Sequence, residues 1–124
     1  MEKLLTIQKR ENLNDIYAID KKGNGNANHD YIIYSKEVGY DGDALFYQEI
    51  KFQNGPRKEA NSIFGVLDSD LLEIVRHRLQ GFQTGQFATE YNAKALEHIE
   101  IALMYMNRRV EDRIERNVLG TNKK

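Results

Sequence analysis

The segment from residue 82 to 117 constrains the fold more than any other part of the chain. Its apolar residues recur every three or four positions, which predicts one long amphipathic helix of about 27 residues. Such a helix is ~40 Å long, which exceeds the width of a small domain, so we expect a second subunit to cover part of it. The apolar face consists of Tyr91, Ala95, Leu96, Ile99, Ala102, Leu103, Met106, Val110 and Ile114.

Three polar residues interrupt this apolar face. At ~100° per residue, Asn92 lies near the centre of the apolar arc, Arg113 lies within it, and Arg109 lies on its flank. An amide and two permanent cations on a buried stripe require hydrogen-bond partners. The residues alone leave two possibilities open for the arginines, an anion site and an interface ion pair, because the planar guanidinium suits phosphate and carboxylate alike. Arg108 and Arg116 face away from the arc and fit a salt-bridged surface.

The first half of the chain predicts a small antiparallel sheet. Four β-prone segments are separated by polar, glycine-rich or turn-forming residues. One of these separators, Lys21–Asn28, contains the sequence GNGNAN, which lacks the third glycine and the following helix of a dinucleotide-binding loop. It therefore fits a hairpin loop better than a phosphate loop. The predicted strands are Leu4–Lys9, Ile16–Asp20, His29–Ser35 and Leu45–Phe52.

The second half of the chain predicts a helical hairpin, which makes the fold class α+β. Asn54-Gly55-Pro56 is the strongest breaker and contains the only proline. After an irregular stretch, Asp68 or Ser69 is expected to cap a first helix, which Gly81 and Gly85 end. A short linker then leads into the long helix, so the two helices should be antiparallel. We place the sheet at 1–53, a connector at 54–67 and the hairpin, with the sheet docked on it, at 68–124. The last residues, from Gly120, are expected to fray.

Composition excludes several classes of function. A net charge of −1 argues against binding a nucleic-acid polymer, which favours a clear positive excess. The absence of cysteine excludes disulfides and thiolate chemistry. No apolar run approaches membrane-spanning length, and no signal peptide is recognisable, so the prediction is a cytoplasmic protein without membrane contact.

Catalytic and metal motifs are not apparent. The three histidines have no i, i+4 partner, and no Gly-x-Ser-x-Gly segment is present. We therefore predict no catalytic residue, no metal site and no cofactor. Phe82, beside two glycines at the hairpin end, could be a core residue or a stacking platform.

Three runs in the second half resemble a known family. FQNGPRKEA, then DLLEIVRHRLQGFQTGQFATEYNAKALEHIEIALMYMNRRVEDR, then NVLGT, are similar to the phage Thoeris anti-defence proteins. The C-terminal hairpin of that family is shared with phage anti-CBASS nucleotide sponges. The similarity covers about the last 70 residues.

This resemblance implies a function and a set of site residues. Such proteins sequester glycocyclic ADP-ribose, a signal made by bacterial TIR-domain enzymes, and hold it intact so that the Thoeris effector is not activated. The family's pocket positions correspond to Phe82, Asn92, Arg109 and Arg113, with Arg57 of the Gly-Pro-Arg segment as a further candidate. Phe82 would stack on adenine, Asn92 would read the adenine edge, and the two late arginines would neutralise the diphosphate.

Helix geometry adds one expectation about assembly. Asn92 and Arg109 are 17 residues apart, which corresponds to ~25 Å along a straight helix. One small ligand cannot reach both within a single chain, so the site should lie between subunits of a homodimer or a larger even-numbered homo-oligomer. Three alternative functions remain: an enzyme that cleaves the signal, a sponge for the cyclic oligonucleotides of CBASS, and a hairpin scaffold that binds a protein partner.

Overall fold

The computed structural model describes the whole chain, Met1–Lys124, as a four-stranded antiparallel sheet followed by two helices. The predicted α+β class is confirmed. The chain divides into two compact units, of which the first comprises Met1–Gly55 and Asn61–Gly65, and the second Pro56–Ala60 and Val66–Lys124. The docking of the sheet on the hairpin stays a prediction.

The sheet is a meander in which each strand pairs antiparallel with the next along the chain. Its four strands are β1 (Glu2–Lys3), β2 (Asn14–Ala18), β3 (Asp30–Ser35) and β4 (Tyr47–Lys51). Aromatic pairs stabilise neighbouring strands on one face, because Tyr17, Tyr34 and Tyr47 lie in successive contact with ring centroids 6.2 Å apart.

The predicted strand at Leu4–Lys9 is wrong. The Leu4 N–H donates to the Ile16 carbonyl at 2.9 Å, but the chain then leaves the sheet, and the side chains of Leu5 and Ile7 are exposed. A β-prone sequence forms a strand only where a neighbour accepts its backbone hydrogen bonds.

The loop between β2 and β3 confirms the predicted hairpin connection. It contains a short 3-10 turn at Asn24–Asn26, in which Gly25 adopts a φ of +71°. At its base, burial raises the pKa of the Asp20 carboxyl. Hydrogen bonds from the His29 backbone and the Asn28 side chain oppose this and leave the pKa below its ordinary value.

The two helices are α1 (Asp68–Gln83) and α2 (Glu90–Glu115). The predicted cap of α1 at Asp68 or Ser69 is wrong, because Leu67 occupies the cap position. Leucine has no side-chain acceptor, so the Leu67 side chain cannot cap the helix. The Asp70 carboxylate accepts the Leu67 N–H at 2.8 Å. The helix ends at Gln83, between the two glycines that were expected to end it.

The helices pack against each other, and α2 is the longer of the two. Across the hairpin, the Arg76 Nε donates to the Glu100 carboxylate at 2.8 Å. The 26 residues of α2 extend ~39 Å, whereas the 16 residues of α1 extend ~24 Å. The final turns of α2 therefore have no α1 residue opposite them.

The end of α2 is covered by the residues that follow it. Asn117 adopts a left-handed φ of +57° and reverses the chain. The Val118 N–H then donates to the Arg113 carbonyl at 2.9 Å, and Val118 is buried. Further along, the Thr121 and Lys123 carbonyls accept hydrogen bonds from Arg113, so the predicted frayed tail is wrong.

The chain buries little apolar surface on its own. Ala18 and Val118 are its only buried apolar side chains, and its accessible surface is 10136 Å². Two separate globular proteins, each with half the mass of this chain, would expose roughly 8,200 Å² in total. No helix is both long enough and apolar enough to cross a membrane. Large apolar residues of α2 that stay exposed are Tyr91, Ile101, Met104, Tyr105 and Ile114.

Candidate ligand-binding site

The hairpin turn places Phe82 and Asn92 at the same end of the second unit. The Gln83 side-chain amide joins the two helices there, because its Nε2 donates to the Thr89 carbonyl and its Oε1 accepts the Thr89 N–H, both at 3.1 Å. Thr89 in turn caps α2 by accepting the Asn92 N–H at 3.0 Å. The last turn of α1 and the first turn of α2 are thereby fixed next to each other.

Phe82 lies on the surface of the hairpin. Its side chain is 39% exposed, and the Arg78 guanidinium carbon is 5.4 Å from its ring centroid. This is a cation–π contact, which an exposed ring can make without losing all access to solvent. Of the two possibilities left by the sequence, the structure favours an accessible ring over a buried core residue. Sequence reasoning missed Arg78, although its i, i+4 spacing from Phe82 was the available signal.

Asn92 keeps its side-chain amide available. The residue is half-buried on α2. Its backbone N–H is used by the Thr89 cap, while its side chain makes no hydrogen bond within the chain. An amide in this state offers one acceptor and two donors to a ligand or a second chain.

Arg113 is the only buried charged residue, at 9% exposure. Its Nη2 donates to the backbone carbonyls of Val118, Thr121 and Lys123 at 3.1, 3.2 and 2.8 Å. The partners of this buried cation therefore include protein carbonyls. The Nε and Nη1 groups have no acceptor in the chain, and neither is among the buried polar atoms that lack a partner, so both keep access to solvent.

Arg109 and Arg57 lie at the same end of the unit as Arg113. Arg109 is exposed, one helical turn before Arg113, and it forms no salt bridge within the chain. The Arg57 Cγ is 3.0 Å from the point where a Cβ on Gly120 would stand. The adjacent Lys58 N–H donates to the Gly120 carbonyl at 2.9 Å. Three of the predicted site residues thus lie around the C-terminal end of α2. The helix dipole stabilises positive charge at that end.

Of the two arginines predicted to lie on a salt-bridged surface, Arg116 forms a salt bridge and Arg108 contacts an aromatic ring instead. Arg116 pairs with Asp112 at 3.0 Å, and the Arg108 guanidinium carbon lies 5.8 Å from the Tyr105 ring centroid. Arg116 therefore has a carboxylate partner, whereas Arg57, Arg108 and Arg109 have none in the chain.

Within one chain the predicted site is divided between two ends of a continuous helix. Phe82 and Asn92 lie at the start of α2, whereas Arg57, Arg109 and Arg113 lie at its end. Asn92 and Arg109 are ~25 Å apart along the helix axis. A single chain therefore carries two half-sites: an aromatic-amide half and a cationic half.

No group of histidine, cysteine and carboxylate side chains in the chain could hold a metal ion. A shallow cavity of about 180 Å³ lies beside β1, but none of the predicted site residues lines it. Two of its lysines, Lys3 and Lys36, flank Asp15 at 3.4 and 3.7 Å.

Comparison with known proteins confirms the resemblance. The family model described as "Acb2/Tad1, hairpin domain" matches residues 47–111, a range that contains Arg57, Phe82, Asn92 and Arg109. The curated protein "Thoeris anti-defense 1" of Bacillus phage SBSphiJ7 is 41% identical over 75 residues, which are 60% of this chain and 52% of that protein. The chain therefore spans about half the length of the curated relative that it matches.

Proposed function

The chain belongs to the Acb2/Tad1 hairpin family, and on this premise we propose that it sequesters a cyclic ADP-ribose isomer, glycocyclic ADP-ribose, to block Thoeris defence. Binding is non-catalytic in this proposal, and the ligand leaves the protein chemically unchanged. The observation that carries the proposal is the division of one chain into two complementary half-sites at opposite ends of α2.

The chemistry of each half-site matches one part of such a ligand. The partly exposed Phe82 ring supplies a face for adenine, and base–aromatic stacking contributes ~1–3 kcal/mol. The unpaired amide of Asn92 supplies the donor and acceptor that match an adenine edge. Arg109 and Arg113, with Arg57 beside them, supply positive charge for the diphosphate.

A homodimer completes the site. Ligand pockets of ~300–1,000 Å³ are roughly 10 Å across, which is much less than the separation of the half-sites in one chain. Two α2 helices packed antiparallel bring the aromatic-amide half of one chain to the cationic half of the other, twice per dimer. The accessible surface of one chain is 10136 Å². This exceeds the roughly 8,200 Å² expected for two separate globular proteins by roughly 1,900 Å², an area of the size that subunit interfaces bury.

Mixing two inactive variants tests the intersubunit site. Phe82→Ala removes the aromatic half and Arg109→Gln weakens the cationic half, so each homodimer has two defective sites. A mixed dimer has one site with both defects and one intact site. Random mixing after co-refolding makes about half of the dimers mixed, so about a quarter of the wild-type binding capacity should return. A site formed within one chain predicts no recovery.

Recovery of the ligand tests sequestration against cleavage. The protein is incubated with glycocyclic ADP-ribose, freed of unbound ligand, denatured by heat and analysed by mass spectrometry. Sequestration predicts release of about one equivalent per site with unchanged mass. Linear ADP-ribose in excess over sites would establish an enzyme. Parallel incubations with cyclic di- and trinucleotides report whether the signals of CBASS are held instead.

A further inference from the structure

The segment after α2 forms a defined turn, although it contains no helix or strand. The Asn117 N–H donates to the Ile114 carbonyl at 2.9 Å and the Thr121 N–H to the Val118 carbonyl at 3.1 Å. The Thr121 Oγ1 also donates to the Val118 carbonyl at 2.6 Å and accepts the Lys123 N–H at 3.2 Å. These bonds fix the directions of the carbonyls in this segment.

Three of those carbonyls, from Val118, Thr121 and Lys123, converge on the Nη2 of Arg113. We name this group the carbonyl cradle. Nη2 carries two N–H bonds, so three acceptors saturate it by sharing. A guanidinium binds a phosphate through one of two parallel N–H pairs, either Nε with Nη2 or Nη1 with Nη2, and both pairs include Nη2. In the cradle, Arg113 therefore offers Nη1 and Nε as single donors, together with its charge.

We infer that the carbonyl cradle is a positioning device that turns the Nη1 and Nε groups of Arg113 toward the diphosphate of the bound ligand. This inference rests on the proposed function. A free arginine side chain loses about 0.5–1.5 kcal/mol of rotamer freedom when a ligand immobilises it, and the cradle removes that cost before binding. The cradle residues themselves need not touch the ligand.

Gly120 connects the cradle to Arg57. Its φ of +78° lies in the left-handed region, and a Cβ there would stand 3.0 Å from both the Arg57 Cγ and the Lys58 Cγ. Replacement by alanine must shift either the tail or these side chains. Gly120→Ala therefore disturbs the cradle, or shifts the neighbouring Arg57, without removing any proposed ligand group. A double variant with Arg113→Lys separates these two routes.

The test measures the affinity of the full chain for glycocyclic ADP-ribose by calorimetry in two pairs of variants. Gly120→Ala should weaken binding roughly two- to tenfold, as expected when Arg113 loses its fixed orientation. Its control is Gly25→Ala, which places the same left-handed strain in open space in the first unit and should leave affinity unchanged.

Thr121→Val removes the hydroxyl that donates to the Val118 carbonyl and should also weaken binding, whereas Thr121→Ser keeps this hydroxyl and should restore affinity.

A double variant distinguishes positioning from general stability. Arg113→Lys can fill the cradle with its three ammonium donors, but it then leaves no N–H for the ligand. Affinity should fall, and adding Gly120→Ala should cause no further loss of affinity, although it still lowers the melting temperature.

Three results would overturn the inference, and they differ in what else they remove. Equal affinity of Gly120→Ala, Thr121→Val and the parent protein would remove the cradle's role and leave the proposed function standing. Additive losses in Arg113→Lys with Gly120→Ala would show that the cradle acts through something other than Arg113. No binding by the unaltered protein would remove the proposed function and the cradle's role together.

Discussion

Replacing Arg113 should destabilise the ligand-free protein, whereas replacing Arg109 should leave its stability almost unchanged. Arg113 is buried and donates to three backbone carbonyls, whereas Arg109 is exposed without an ion pair. We expect Arg113→Gln to lower the free energy of unfolding and Arg109→Gln to change it by less than about 0.5 kcal/mol. Both variants should nevertheless lose affinity for the ligand.

The size of the Arg113 effect follows from its contacts. A hydrogen bond to a charged group contributes ~1.5–3 kcal/mol, and Nη2 has two N–H bonds to give. The Val118 carbonyl also accepts the N–H and the hydroxyl of Thr121, so it stays satisfied when Arg113 is removed. The other two carbonyls are only partly buried and can regain water. Two such bonds would contribute ~3–6 kcal/mol, and we expect a loss at the lower end, about 3 kcal/mol, which corresponds to a fall of roughly 10 °C in melting temperature.

Thermal denaturation followed by circular dichroism, without ligand, measures this difference. The two variants change charge and length identically, so each is the matched control for the other. Equal melting temperatures for Arg113→Gln and Arg109→Gln would show that the carbonyl contacts contribute nothing. A large fall for Arg109→Gln would show that this residue is paired across a subunit interface, as the scaffold alternative requires.

Three further predictions follow from the same structure. Phe82→Ala should weaken ligand binding by ~1–3 kcal/mol. Because Phe82 is 39% exposed, the melting temperature should fall far less than for a core phenylalanine. A comparable loss of affinity in the control Phe87→Ala would contradict stacking. Light scattering should give at least a dimer at micromolar concentration, because so little apolar surface is buried within one chain; a monomer that binds tightly would exclude the intersubunit site. Because the pKa of Asp20 is lowered on folding, its ionised form stabilises the first unit above its ordinary pKa of 3.8, and this contribution is lost as the pH falls through the lowered value. Asp20→Asn should therefore flatten the acid-unfolding curve below about pH 4, and an unchanged slope would count against this role.

Periodic patterns in the sequence determined the elements that carry the site. The three-four spacing of apolar residues predicted α2, and the phase of Asn92 and Arg113 on that helix identified them as polar residues that needed partners. The sheet could be predicted as well, because β3 is rich in aromatic and β-branched residues and the segment that contains β4 alternates apolar and polar residues. These features depend on neighbours within a few positions, which is the range over which sequence patterns act.

Tertiary structure decided which groups those residues contact. The β-prone Leu4–Lys9 leaves the sheet because, beyond the bond from Leu4 to Ile16 of β2, no strand accepts its backbone N–H groups. Arg113 faces carbonyls whose positions follow from the reversal at Asn117 and the left-handed Gly120, and no periodicity encodes where those carbonyls point. Arg57 reaches the end of α2 across more than 50 residues of sequence. Periodicity specifies which face of a helix a side chain occupies, but its hydrogen-bond partner depends on where backbone from elsewhere in the chain comes to lie.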